Sequence, residues 1–552
     1  MSRTLHAHAP QVPRAGGKAA AVGRHHGSRW LVLAVLCLSL LVVSLDATIL
    51  NVALPTLVRD LHASDSQLQW IVDGYTVVFG GLLITFGSLG DRAGRRGALL
   101  VGLLVFGGGS ALSAFAASPD QLIGFRCIMG AGGAFVMPAT LSVLTNVFTD
   151  ATERARAIGI WSGTSGLGVA IGPIAGGWLL AHFWWGSVFL VNAPIVGVSV
   201  VAVMLFVPTS KDPAARRADP VGTLLSVAGL GVLLWGIIEA PVDGWASWLV
   251  IGAMTGGAVL LAAFVTWELH SDHPMFRMDF FSNPRFSSAS VSVSLVFFSL
   301  FGALFLFTQY LQSVLAYTPF QAGLRLAPVA LTLGIAAPAA SLLAERVGTK
   351  VVVVAGLCIV AVGLGLATGF SVRSGYLPVL IVILVAGLGM GLTMSPATEA
   401  IMGSLPPAEA GVGSAMNGTD IQIGGALGVA VLGSVLNSYY RSDLAPALAA
   451  LHLPRPVVHA ASSSLGGALE VAQHLPAAGT LLLASAAKVS FVSGINVADL
   501  VGMSVALAGA VVALFFLPAR AREQRQSTGT ARAAGGRTAG GTGARPGPGA
   551  GL

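Results

Sequence analysis

Two charged residues stand alone in long apolar runs, and chemistry could begin there. Asp46 lies nine residues before Pro55, so at 1.5 Å per residue it sits about 14 Å from that end of its helix. An ionised carboxylate at that depth in hydrocarbon costs about 3 kcal/mol or more, and a carboxyl so placed is suited to gaining and losing a proton. Arg126 follows Asp120 by six residues, about 9 Å into its own run. An intramembrane arginine needs a partner, and Asp46 is at comparable depth. The plainer alternatives are an acid that caps a helix contact and an arginine that snorkels to the interface.

Other acids follow by the same arithmetic. Asp73 precedes Asp91 by eighteen residues, about 27 Å of helix, which places it near the outer mouth, as a cation attractor or gate or as a solvated helix-end charge. Asp420 comes thirteen residues after Pro407, about 20 Å in, and is the candidate for a second membrane acid. Glu239, Glu399 and Asp499 fall nearer to span ends and read as bland. No nucleophile–base pair appears. Cys37, Cys127 and Cys358 are isolated in apolar stretches, with no disulfide or metal spacing. Gly17-Lys18 is followed by Ala19, so there is no phosphate-binding loop. These features argue against an enzyme, a metal, a cofactor or a bound nucleotide.

The elements that must position these residues are membrane helices. The chain of 552 residues is 55% hydrophobic and 10% charged, with a mean hydropathy of +0.81, whereas soluble domains carry about 25% charge. Fourteen runs approach the roughly 20 residues that a span requires. Numbered as spans 1 to 14, they lie near 30–53, 67–88, 97–117, 121–144, 156–181, 187–207, 221–240, 246–268, 287–309, 321–343, 351–371, 378–400, 412–436 and 495–517. The class is an all-α membrane protein embedded in a lipid bilayer.

The net charge of +7 and pI near 9.7 do not require a nucleic-acid partner. With the N-terminus cytoplasmic, all but seven of the 30 Lys+Arg fall on that side, the bias expected of a positive-inside topology. The exceptions are Arg59, Arg373, Arg441, Arg455 and Lys488 outside, and Arg126 and Arg325 within spans. Both termini are then cytoplasmic. Residues 1–29 and 518–552 are rich in Gly, Ala, Pro and Arg and read as disordered tails without a cleavable signal. His6, His8, His25 and His26 belong to the first tail and fit a polar tail better than a metal site. An Ala-rich outer loop of weak helical periodicity, 437–494, reads as an interfacial or partly ordered cap.

An internal repeat divides the spans. Gly87-Ser-Leu-Gly-Asp91-Arg92-Ala-Gly94-Arg95-Arg96 follows span 2, and Ser341-Leu-Leu-Ala-Glu345-Arg346-Val-Gly348-Thr-Lys350 follows span 10, with acid, Arg, Gly and base aligned. Duplicated halves are a transporter feature. The expected organisation is a six-helix bundle over 30–208, a linker with an inserted helix pair over 209–286, and a second six-helix bundle over 287–517.

Span 5 is the densest in glycine: Gly159, Gly168, Gly172-Pro173 and Gly176-Gly177. Soluble helices avoid this, because each glycine costs about 1 kcal/mol against alanine. Membrane helices use small residues for close backbone approach. The spacing matches the antiporter motif of proton-driven exporters. Leu45-Asp46-Ala-Thr-Ile-Leu-Asn51-Val-Ala-Leu-Pro55, the Gly87–Arg96 loop, Arg126 with Gly130, and the Phe189-Leu-Val-Asn192-Ala-Pro194 piece stand with it in order. Over residues 30–517 the chain resembles the fourteen-span drug:proton antiporters of the major facilitator superfamily. Gly186, where the family often has Arg, and Met129, where it usually has Gln, depart from the pattern.

The resemblance implies the major facilitator fold, two bundles rocking around a central cavity. It implies that Asp46 links proton entry to drug exit, with Arg126 modulating it and Asp73 and Asp420 as further acids. It implies that Gly87, Asp91, Arg92, Gly94, Arg95 and Arg96 form a cytoplasmic gate. Trp70, Tyr75, Trp161, Trp235, Phe305 and Tyr310 could line an aromatic pocket tolerant of cations, or serve as ordinary interface aromatics. The expected function is efflux of hydrophobic, cationic or amphipathic toxic compounds in exchange for protons, by a monomer in a bacterial cytoplasmic membrane. A dedicated exporter of one antibiotic is the first alternative: Arg outnumbers Lys 26 to 4, which suits a GC-rich bacterial genome. A non-transporting membrane receptor or enzyme is the remote one.

Overall fold

The computed structural model describes residues 26–211, 219–271, 274, 278–405 and 410–518. His6, His8 and His25, both outer portions of the tails, and the centre of the linker at 212–218 lie outside the described residues. Among the described residues the structure is helical and contains no strand. Fourteen helices there are long and apolar enough to cross a membrane. Spans 1 to 6 are Arg29–Leu61, Asp65–Ala93, Arg95–Ala114, Pro119–Val147, Thr152–His182 and Ser187–Phe206. Spans 7 and 8 are Pro220–Asp243 and Trp248–His270. Spans 9 to 14 are Pro284–Val314, Pro319–Val347, Thr349–Ala367, Tyr376–Gly403, Gly413–Ala450 and Ala477–Phe516.

Both sets of six spans pack in one pattern. In the first half span 1 lies on span 5, span 2 on span 4, span 3 on span 4, and span 3 on span 6. In the second half span 9 lies on span 13, span 10 on span 12, span 11 on span 12, and span 11 on span 14. The repeated loop has repeated geometry. Gly94 and Gly348 both have positive φ, +134° and +94°, and each donates its N–H over 2.9 Å to the carbonyl four residues back, Gly90 or Ala344. An L side chain is strained in that conformation, which is why glycine stands at both turns.

Spans 1 and 14 have their outward chain ends on one side, called here the terminal end; the other is the far end. Two contacts between the halves are the most extensive, beside a smaller one in which span 1 meets span 9 and Gln312 donates to the Val52 carbonyl at 2.9 Å. Span 2 runs along span 13, with span 7 of the inserted pair packed against both, while span 8 rests mainly on span 7. Span 5 meets span 10 chiefly in its first turns, Pro319–Leu326, at the far end. A Cβ on Gly177 would lie 2.6 Å from the Phe320 Cα, and one on Gly323 would overlap the Pro173 carbonyl. Toward the terminal end, Gly159, Gly163 and Gly166 of span 5 and Gly334 of span 10 have nothing within 4 Å of a Cβ. The two spans touch at the far end and part toward the other.

The segment read as an outer loop, 437–494, is largely helix. Span 13 continues to Ala450 and span 14 begins at Ala477, leaving two short helices, Arg455–Ser463 and Leu465–Gln473, between them. Hydropathy marks only a stretch of hydrocarbon length, about 20 residues. The Ala- and Leu-rich sequence on either side carries the helices further by its intrinsic propensity.

Candidate functional site

The site forms where spans 1, 2, 4 and 6 converge within the first half. Arg126 and Asp46 are both fully buried, and Arg126 Nη1 donates to Asp46 Oδ2 at 2.5 Å. Arg126 Nε donates to the Ile71 carbonyl of span 2 at 3.0 Å, and its guanidinium carbon lies 4.4 Å over the Tyr75 ring. Asn192 of span 6 completes the cage: its Nδ2 donates to Asp46 Oδ1 at 3.4 Å and to Ser110 Oγ at 3.0 Å. Ser110 in turn donates to the Phe189 carbonyl. A buried carboxylate is tolerable only when paired and hydrogen-bonded, and both of its oxygens are engaged here.

Span 5 grips the helix that carries Asp46. Gly168, Gly172 and Gly176 recur every four residues and so share one face. A Cβ on Gly168 would meet Ser44 at 2.7 Å, one on Gly172 would overlap the Thr48 hydroxyl, and one on Gly176 would meet Ile49 at 2.8 Å. Thr48 Oγ1 also donates to the Val169 carbonyl at 3.3 Å, and Ser44 and Ser165 share a hydroxyl bond of 2.9 Å. Gly177 and Pro173 face span 10 instead, and Gly159 faces nothing within 4 Å. The motif therefore clasps span 1 on one side and touches the second half on another.

At the terminal end, Arg95 Nε pairs with Asp91 Oδ1 at 2.6 Å, and Arg96 Nη2 donates to the Met204 carbonyl at 2.6 Å. The Arg95 N–H donates to the Ser210 carbonyl at 2.9 Å, Arg92 is exposed, and Gly87 lies against Pro138 of span 4. These bonds stay within the first half and tie the 2–3 loop to the end of span 6.

Of the remaining acids, Asp73 and Asp499 differ from expectation. Asp73 is near the far end of span 2, yet it is fully buried rather than at a mouth, because spans 7 and 13 cover that stretch. Neither of its oxygens meets hydrogen-bond geometry with a partner among the described residues; the Thr76 hydroxyl lies near the carboxyl but donates to the Val72 and Asp73 carbonyls. Asp420 is 5% exposed, with Ser290 of span 9 beside it, on the face where Gly424 and Gly428 pack against Ser294 and Phe298. It therefore looks into the second half and away from Asp46. Asp499, read as a bland residue near a span end, lies in the middle of Ala477–Phe516, is fully buried, and has both oxygens unpartnered. It was misplaced because the helix starts 18 residues before the hydropathy boundary at 495. Glu399 is exposed and accepts from Ser341 Oγ.

The six aromatic residues do not converge on one pocket. Tyr75 belongs to the Arg126 cage and stacks on Phe79. Trp161 Nε1 donates to Thr140 Oγ1. Trp70 packs with Val77, Leu230 and Leu234, and Trp235 is half-buried on span 7. Phe305 is buried in the second half, where Tyr310 stacks on Phe370 and donates to the Ser371 carbonyl. Sequence reasoning named Asn192 only as part of the Phe189–Pro194 piece, without a place in the site, and passed over Ser110 and Gln69; a lone amide or hydroxyl in an apolar run was the available signal.

The comparisons with known proteins agree with this architecture. The family model described as Major Facilitator Superfamily matches residues 36–429 and 289–525. The multidrug efflux pump LfrA of Mycolicibacterium smegmatis is 38% identical over 88% of this chain and 96% of its own length. The tetracenomycin C resistance and export protein of Streptomyces glaucescens is 33% identical, covering 89% and 92%. The methyl viologen resistance protein SmvA of Salmonella typhimurium is 33% identical, covering 85% and 94%. Among solved structures, a bacterial homologue of the human lysosomal transporter Spinster, inward-facing and unoccupied, matches with a TM-score of 0.60 at 17% identity, covering 90% of this chain and 99% of its own. With fourteen helices long enough to span a membrane among the described residues, twelve of them in two similarly packed halves, and relatives of near-equal length at these identities, the chain belongs to the Major Facilitator Superfamily, beside the drug-efflux proteins it resembles.

Proposed function

We propose that this protein exports hydrophobic, cationic or amphipathic toxic compounds across a bacterial cytoplasmic membrane in exchange for protons, as a monomer with both termini in the cytoplasm. The observation that carries the proton coupling is the Asp46–Arg126 pair: a carboxylate with no access to solvent, held on the helix that the span 5 glycines grip. A carboxyl so enclosed can change protonation only when its surroundings move, which is what coupling requires. Rocking of the halves shifts span 5 against span 10 and, through the glycine face, against span 1. Protonation of Asp46 would weaken its bond to Arg126, and Asp73 and Asp420 are further acids available to the cycle. The Asp91, Arg92, Arg95 and Arg96 loop, with Gly87 and Gly94, serves as the cytoplasmic gate.

The test is ethidium transport in inverted vesicles under an imposed pH gradient, wild type beside Asp46→Asn. Transport that requires the gradient and is lost in the variant supports the reading; a variant as active as wild type sinks the role of Asp46. A second reading, export of a single antibiotic, is favoured by the 33% identity to a protein named for tetracenomycin C. A wild type that ignores a dye panel and moves one antibiotic would establish it.

A further inference from the structure

A strip of buried polar groups lies outside the Asp46 site, on the seam between the halves. Asp65, Gln69 and Asp73 of span 2 recur every four residues, so they share a face at intervals of about 6 Å. That face meets span 13, which presents Ser434, Asn437 and Arg441. Ser434 Oγ donates to Gln69 Oε1 at 3.3 Å. Gly433 makes room for the amide, since a Cβ there would stand 2.8 Å from the Gln69 Cδ. All these residues except the half-buried Arg441 are buried.

Their polar atoms are unpaired to an unusual degree. Both oxygens of Asp65, both of Asp73, Gln69 Nε2 and Asn437 Nδ2 have no hydrogen-bond partner among the described residues. Native interiors leave few such atoms, and here six lie along one seam. The acceptors of Asp65 and Asp73 stand at the two ends and the donors of Asn437 and Gln69 between them, a mix that suits ordered water, which needs two to four polar partners. The strip touches a cavity at one residue, Arg441. That open cavity of about 380 Å³ at the far end is lined by Arg441, Leu448, His452 and Val458 among others. Arg441 Nε donates to Asn437 Oδ1 at 3.0 Å, and the guanidinium acts electrostatically on Asp65 and on Glu239 of span 7. Tyr440 is the other titratable group acting on Asp65, and no ion pair reaches Asp73 among the described residues.

We infer that this strip is the path by which protons from the far face reach Asp73. A hydronium ion in the cavity gives its proton to the Asp65 carboxylate. Water held between Asp65, Asn437 and Gln69 relays a proton inward, and the Asp73 carboxylate becomes the acid while Asp65 is restored. The path serves Asp73 and not Asp46 directly. Arg126 is bound by Ile71 and Tyr75, two residues to either side of Asp73, and therefore lies on the other side of span 2.

The inference rests on the proton-coupled reading above, and the experiment separates the two. The full chain is reconstituted in liposomes, and ethidium flux driven by a pH gradient is measured beside ethidium–ethidium exchange at equal pH. Gln69→Leu is expected to slow the driven flux about tenfold or more while leaving exchange within about twofold, and Gln69→Glu to restore the driven flux within about threefold. Driven flux at the wild-type rate in Gln69→Leu overturns the path. Equal loss of both modes also overturns it, since that marks a packing role. A wild type that exchanges ethidium but ignores the gradient overturns the proton-coupled reading itself, with no variant involved. If Gln69→Leu fails to insert, Asp65→Asn at the start of the span must give the same split between modes, and its absence rejects the path.

Discussion

Gly172 of span 5 stands so close to Thr48 of span 1 that a Cβ placed on it would overlap the threonine hydroxyl. Thr48 is two residues from Asp46, so this contact sets how near span 5 comes to the buried acid. The same Cβ would also crowd the Leu45 carbonyl at 3.0 Å and the Ile49 nitrogen at 3.1 Å, which are backbone and cannot turn aside. Gly172→Ala should overpack the interface by about 1–3 kcal/mol. We expect ethidium efflux to fall about tenfold or more with membrane insertion retained, and Thr48→Ala to restore part of it. Gly159→Ala, with nothing within 4 Å, is the control and should stay within about twofold of wild type. Equal losses at the two glycines would remove close packing as the motif's purpose.

The Asp46–Arg126 pair allows stability and transport to be separated. Removing one member strands the other in the interior, at a cost of about 3–5 kcal/mol. Arg126→Leu should therefore melt well below wild type in detergent. The double variant Asp46→Leu/Arg126→Leu should recover most of the melting temperature, because two apolar side chains replace a desolvated pair. It should recover none of the gradient-driven efflux. If the double variant is as unstable as Arg126→Leu, the pair is held by more than its mutual attraction, and Asn192 and Tyr75 are where that hold would lie.

The depth of this pair was legible in the sequence because helix rise converts residue counts into distance. Asp46 and Arg126 were placed at similar levels from Pro55 and Asp120 alone. Which way a side chain points around its helix was not legible, since a small error in helix phase turns it to a different neighbour. That is why Asn192, though quoted in a motif, was not joined to Asp46, and why the aromatic residues were grouped although they face separate interiors. Asp73 was placed at roughly the right height, but its burial comes from spans 7 and 13, far away in the chain. Hydropathy found fourteen spans and their order. It stopped at 436 and restarted at 495, although the helices run to Ala450 and from Ala477, and Asp499 was misjudged with them. Repeat arithmetic succeeded for Gly94 and Gly348 because a positive φ leaves its mark directly as glycine.

Those two glycines give a prediction of their own. A Cβ at Gly94 would have nothing within 4 Å, so the cost of Gly94→Ala is backbone strain, about 1–3 kcal/mol, and the comparable φ at Gly348 should bring a similar strain. Melting temperatures of Gly94→Ala and Gly348→Ala should fall alike. Transport should not. The first loop carries the Asp91–Arg95 pair and the Arg96 bond to Met204, while Glu345 and Arg346 of the second are exposed. Gly94→Ala should lower efflux several-fold beyond Gly348→Ala, and equal efflux in the two would mean that the first loop's bonds do not gate.

Asp499 offers the opposite case to Asp46. Both are fully buried acids in mid-helix, but Asp46 is engaged by Arg126 and Asn192, whereas Asp499 has no partner for either oxygen among the described residues. Burying a polar group without a hydrogen bond costs about 1–3 kcal/mol on the scale of protein substitutions. Replacing the unpartnered acid with an apolar side chain of similar length removes that cost and leaves no charge stranded. Asp499→Leu should therefore raise the melting temperature, while Asp46→Leu lowers it by exposing Arg126 to an apolar interior. Thermal denaturation of both variants in one detergent is the measurement. A lower melting temperature for Asp499→Leu would mean that spans 11, 13 and 14 hold water against the carboxylate, and that its place in the second half is a polar site rather than an unpaired charge.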